Sequence, residues 1–131
     1  MKINVIEKPR RSGKTTQIKL SVLEELCNSK CYPRKIVYIS LNEQSEKQFM
    51  KWIREIFFNT ENIVIGLENL RNSLRCTSNQ DYMIYIDEPF LIDERKQMEI
   101  LDLIEQISKR NTVEVFATGT IEVKRLFKDY L

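Results

Sequence analysis

Histidine is absent from this sequence, and glycine, proline and cysteine are scarce at three residues each. Without histidine a Cys/His zinc site is impossible, and Cys27, Cys31 and Cys76 would need a fourth ligand from elsewhere to close a thiolate site. Reduced or buried thiols are therefore expected, which fits a reducing cytosol. So few glycines and prolines leave no segment that reads as a flexible linker, and neither a repeat nor a low-complexity tract is found. No apolar run approaches the ~20 residues of a membrane span. The apolar part of Met1 to Glu7 is far too short for a signal peptide. A soluble, cytoplasmic protein with no membrane partner is the expectation. An excess of one charge is lacking too. With 21 basic and 19 acidic residues the net charge is +2, and strong nucleic-acid binders usually carry a clear basic excess. A local basic patch remains compatible with that balance.

What is present suits one compact α/β domain covering residues 1–131. The apolar share of 42% is ordinary for a globular chain, and 131 residues suffice for one domain but not two. Ile3, Val5 and Ile6 form a β-type run ending at Glu7, and a loop with Pro9 and Gly13 follows. From Lys14 to about Cys27, Ile18, Val22, Leu23 and Leu26 recur at helical spacing. Ile36 to Ile39 reads as a second buried strand. Glu43 to Phe58 reads as a helix with Phe49, Trp52, Ile53 and Ile56 on one side. A short strand over 62–65 and a short helix over 67–75 come next. Met83 to Ile86 is an apolar strand running directly into Asp87-Glu88. Asp93 can cap a helix to about Lys109, buried through Leu101, Ile104 and Ile107. Val113 to Ala117 is the last clear strand, followed by Thr118-Gly119-Thr120 and a terminal helix. Strands alternating with helices predict a three-layer sandwich with a mainly parallel sheet, whose ligands bind at the strand carboxyl ends.

Three chemically suggestive segments fall at such ends. Lys8 to Thr15 matches the phosphate-loop (P-loop) pattern G-x-x-x-x-G-K-[ST], except that Lys8 stands at the first glycine. A glycine at position 13 lets the backbone approach a phosphate, whose oxygens the amides of Arg11, Ser12, Gly13, Lys14, Thr15 and Thr16 can wrap. The helix that follows offers its positive dipole end. Lys14 would neutralise the β- and γ-phosphates, and the Thr15 hydroxyl would ligate Mg²⁺. In the second segment, Asp87 ends an apolar strand. A strand directly beside the first would bring this carboxylate into the Mg²⁺ shell, with Glu88 as the general base for the attacking water. In the third, Thr118 can hydrogen-bond the γ-phosphate or its water. Taken alone, that segment reads better as a Gly-containing turn that simply ends a strand.

Arg10-Arg11-Ser12-Gly13-Lys14-Thr15-Thr16, Ile86-Asp87-Glu88 and Ala117-Thr118-Gly119-Thr120 together resemble the ATPase cores of additional-strand, catalytic-glutamate P-loop proteins. Within that class they resemble phage terminase large subunits, relatives of superfamily-two helicases. The resemblance implies a minimal RecA-like core that hydrolyses ATP with Mg²⁺, acting in the host cytoplasm if phage-encoded. DNA, a protein partner or further copies of the chain would be its partners. It also implies that Arg10 acts in cis on the γ-phosphate, whereas plain solvation explains Arg10 and Arg11 as well. Relative to that family the sequence has no nuclease segment after the coupling motif, no adenine-reading segment before the first strand, and one strand fewer. Two rivals stay open: a nucleotide-dependent binding or assembly module without efficient hydrolysis, and a nucleoside or nucleotide kinase.

Overall fold

The computed structural model describes residues 2–7, 14–28, 34–40, 43–57, 62–73, 81–87 and 94–119. Strands and helices alternate strictly: β1 (Lys2–Glu7), α1 (Lys14–Asn28), β2 (Lys35–Ile39), α2 (Glu43–Ile56), β3 (Ile63–Ile65), α3 (Leu67–Ser73), β4 (Tyr82–Asp87), α4 (Glu94–Ser108) and β5 (Val113–Gly119). The strands form one sheet in the order β1-β5-β4-β2-β3, and every pairing is parallel. The expected α/β class therefore holds.

Amphipathic pattern decides where each strand lies. All six residues of β4 are buried, as the middle of a sheet covered on both faces demands. β1, with Lys2 and Glu7 at its ends, and β3, only three residues long, take the two edges of the described sheet. The chain moves outward through β2 to β3 and then reverses to β4 and β5. Parallel crossovers keep one hand, so a reversal of direction transfers the connecting helices to the opposite face. Two cores result. Ile18 and Val22 of α1 and Phe49 and Ile53 of α2 bury Ile36, Tyr38, Met83 and Tyr85 on one face. Leu67 and Leu70 of α3 and Ile100, Leu103, Ile104 and Ile107 of α4 bury Val37, Ile84, Ile86 and Val115 on the other. This layering is compatible with a three-layer sandwich.

Several sequence expectations need correction. The acidic strand was expected directly beside the first, but β5 lies between them, so β1 and β4 are not neighbours. The apolar Val113-Val115-Ala117 set favours a place inside the sheet over an edge. β5 also runs on through Thr118 and Gly119, paired with Ile6 and Glu7, instead of turning there. On α2, Ile56 is 47% exposed, while Glu46 is buried. Ile56 falls in the last turn of the helix, at the end of the stripe begun by Phe49 and Ile53. Cys27 is a free, exposed thiol. Cys31, Cys76, Leu74 and the expected terminal helix lie outside the described residues.

An ionic clamp holds the amino-terminal edge of the sheet. Arg34 donates to Glu25 of α1 at 2.5 Å and to Glu114 of β5 at 2.8 Å. The Glu25 hydrogen bond, against the cost of partial burial, raises its already high pKa further. No helix among the described residues is long and apolar enough to cross a membrane.

Candidate functional site

The register of the sheet sets the carboxyl ends of β1, β5 and β4 side by side. Thr118 on β5 pairs with Ile6 of β1 on one side and with Asp87 of β4 on the other. One row across three strands thus contains the penultimate residue of β1, Thr118 and the acid. β1 ends at Glu7 and α1 begins at Lys14, and residues 8–13 between them lie outside the described residues. Arg10, Arg11, Ser12, Gly13 and Glu88 lie outside the described residues. Lys14, Thr15 and Thr16 form the first turn of α1, and Thr118 is the sixth residue of β5.

Because β5 intervenes, adjacency of strands does not bring the β1 side to Asp87. At about 4.8 Å per strand, β1 and β4 stand roughly 10 Å apart. α1 spans that gap. It packs over β4 and β5, and Ser21 hydrogen-bonds Tyr85 of β4 through their hydroxyls at 3.0 Å. From that bond, residue 15 lies about 9 Å up the helix, at ~1.5 Å per residue. Asp87 lies about 7 Å up the strand, at ~3.3 Å per residue. The first turn of α1 and the end of β4 therefore stand at about the same level. Backbone amides that begin a helix have no intrahelical acceptor, so this end of α1 is suited to an anion.

Asp87 is only 4% exposed. Tyr38, on neighbouring β2, donates its phenolic O–H to Asp87 Oδ2 at 3.0 Å. Burial, with the Asp87 charge second, pushes the Tyr38 phenol well above its ordinary range, so it remains a donor. Burial likewise pushes the Tyr85 phenol up to about 12. A cavity of about 150 Å³ opens beside this pair, lined by Lys19, Tyr38, Ser40, Phe49 and Asp87 among others. Connections from β2 and β4 depart to opposite faces here, which is where open parallel sheets leave a crevice at their carboxyl ends. Lys19 is also held 5.0 Å from the Trp52 ring centroid.

Among the described residues no cluster of three or more acids or cysteines could cage a metal by itself. Mg²⁺ with a nucleotide needs no such cage, since one or two protein oxygens plus phosphate and water complete its shell. A buried carboxylate at a strand end, level with the turn that contains Thr15, fits that donor set.

The sequence reading missed Tyr38, Ser40, Lys19 and Glu46. Tyr38 sits in the run Ile36-Val37-Tyr38-Ile39, where an aromatic passes for another apolar residue, and only its polar tip could have signalled a partner. Glu46 lies in the first turn of α2, where acids are common as dipole partners. It instead turns inward to accept the Ser40 amide at 3.2 Å, and burial raises its carboxyl pKa. A larger cleft of about 580 Å³ lies between α2, α3 and the start of α4. Acids and bases line it in similar number, with Arg71 paired to Glu99.

No protein-family model matches the chain, and no curated protein matches it.

Proposed function

We propose that the chain is a minimal P-loop hydrolase that binds ATP with Mg²⁺ and cleaves the γ-phosphate, resembling the core of phage terminases and superfamily-two helicases. The observation that supports it most is the Ile6–Thr118–Asp87 row, with α1 crossing from the β1 side to the level of Asp87.

In this reading the Arg11 to Thr16 amides and the α1 dipole hold the phosphates, and Lys14 neutralises charge on the β- and γ-groups. Thr15 and Asp87 would hold Mg²⁺, which when bound screens the phosphate charge. Glu88 accepts a proton as a water oxygen bonds the γ-phosphorus and the bond to the ADP oxygen breaks, giving ADP and phosphate. Arg10 neutralises charge that develops on the γ-oxygens. Thr118 hydrogen-bonds the γ-phosphate or its water and couples the site to β5. DNA, a protein or a second copy of the chain would receive that coupling.

One observation favours a second reading. Lys8 replaces the glycine that opens the phosphate loop, and this suits a module that binds nucleotide without turning it over. Both readings require Lys14. Lys14→Ala is expected to abolish ATP binding or turnover while thermal unfolding stays within about 0.5 kcal/mol of wild type, as a role confined to phosphate binding requires. Unchanged ATP affinity in folded Lys14→Ala would remove the P-loop assignment altogether.

A further inference from the structure

β2 contains none of the phosphate-loop, acidic or coupling motifs, yet it supplies a donor to the acid. Tyr38 pairs in register with Tyr85, so both point to the same face of the sheet as Asp87, two residues further along β4. The phenol reaches forward along the sheet to Asp87 Oδ2 at 3.0 Å. The ring is not free to choose another direction. Phe49 of α2 stacks on it at 3.8 Å between centroids with planes 5° apart. The Gly66 amide donates to the Tyr38 carbonyl at 2.9 Å. Phenylalanine would fill the same buried space without the cost of desolvating a hydroxyl. The hydroxyl is therefore kept for what it touches, and what it touches is the acid at the candidate nucleotide site.

We propose that Tyr38 is a positioning residue, whose O–H fixes the plane of the Asp87 carboxylate for a divalent cation bound with nucleotide. This rests on the nucleotide-hydrolase reading. The carboxylate ends a strand, where the backbone alone leaves its side-chain torsions open. A donor on a rigid, stacked ring limits them before the cation arrives. Groups that orient a metal ligand in this way typically matter by 10–100-fold in metal affinity. A phenol that only satisfies a buried acid would affect stability and leave cation affinity alone.

The test compares wild type with Tyr38→Phe, which keeps the ring and its stack. Mn²⁺ affinity is measured by titration in the presence of a non-hydrolysable ATP analogue, and analogue affinity is measured separately in EDTA. The proposal predicts Mn²⁺ binding weaker by roughly 10-fold or more in Tyr38→Phe, with analogue affinity in EDTA unchanged. Equal Mn²⁺ affinity in the two proteins overturns the positioning role and leaves the hydrolase reading standing. Failure of wild type itself to bind Mn²⁺ and analogue overturns both. If Tyr38→Phe does not fold, Phe49→Leu decides, since it loosens the ring without touching the hydroxyl. A smaller loss of Mn²⁺ affinity in the same direction supports the proposal, and no loss overturns it.

Discussion

Two acids are buried among the described residues, and their surroundings differ. Asp87 meets a phenol that donates to it, whereas Glu46 is opposed first by burial and also by the Glu43 charge, which outweigh the Ser40 amide bond and the Lys96 charge that favour its ionised form. For Glu46 the consequence is a pH dependence whose sign follows from linkage. A carboxyl raised in the folded state holds its proton more tightly there than in the unfolded chain, whose glutamate titrates near ~4.3. Stability therefore falls as pH rises from that ordinary value through the raised one, and the loss is complete above it. Glu46→Gln keeps an acceptor for the Ser40 amide and removes the charge. It should be more stable than wild type at neutral pH, with the gain shrinking as pH falls and vanishing below the ordinary carboxyl range. Urea unfolding at pH 4 and pH 7 checks this, and a stability difference that does not move with pH would contradict it. Residue chemistry of this kind was half legible. Asp87 stood out because an acid directly after four apolar residues breaks a pattern. Glu46 and Tyr38 conformed to theirs, and only the third dimension shows what they touch.

Between elements, the turn from β3 into α3 shows how local backbone and distant packing meet at one residue. Gly66 adopts φ +90°, a conformation that side chains rarely accept. Its amide caps the carbonyl of Tyr38, and a Cβ here would come within 3.1 Å of Glu46 Oε1. Gly66→Ala is thus expected to lose about 1–3 kcal/mol in thermal or urea unfolding, from backbone strain with crowding of Glu46 added. A loss under about 0.5 kcal/mol would mean that the turn relaxes at little cost. Element types and most boundaries were readable from periodicity, because each helix shows a clear apolar stripe and each long strand a compact apolar run. Strand order was not. β5 lies beside both β1 and β4 through pairings across more than a hundred residues and about thirty residues respectively. Nothing in the local pattern of β5 names its neighbours, and the expectation that β1 and β4 touch failed for that reason. The end of β5 failed similarly: Thr118 and Gly119 look like a turn in sequence, but β1 extends far enough to pair with both.

For the whole molecule, the reversal after β3 is what gives the sheet two cores and gathers the β1, β4 and β5 carboxyl ends into one region. The α/β class and the strand-end placement of the motifs were legible because both follow from the alternation of elements alone. The crossing of α1 over β5 to β4 was not, since it depends on strand order. Nucleotide hydrolysis is the function proposed for this region, and substitution of Glu88 reads it out. Glutamine there preserves shape and hydrogen bonding but cannot take the proton from water. Steady-state phosphate release and ATP affinity are measured for wild type and Glu88→Gln with Mg²⁺, with and without DNA. Measurable release by wild type is expected, with a loss of at least ~10²-fold in Glu88→Gln and ATP affinity retained. Wild type that binds ATP but releases no phosphate under either condition would contradict the hydrolase and leave the nucleotide-dependent binding module in its place.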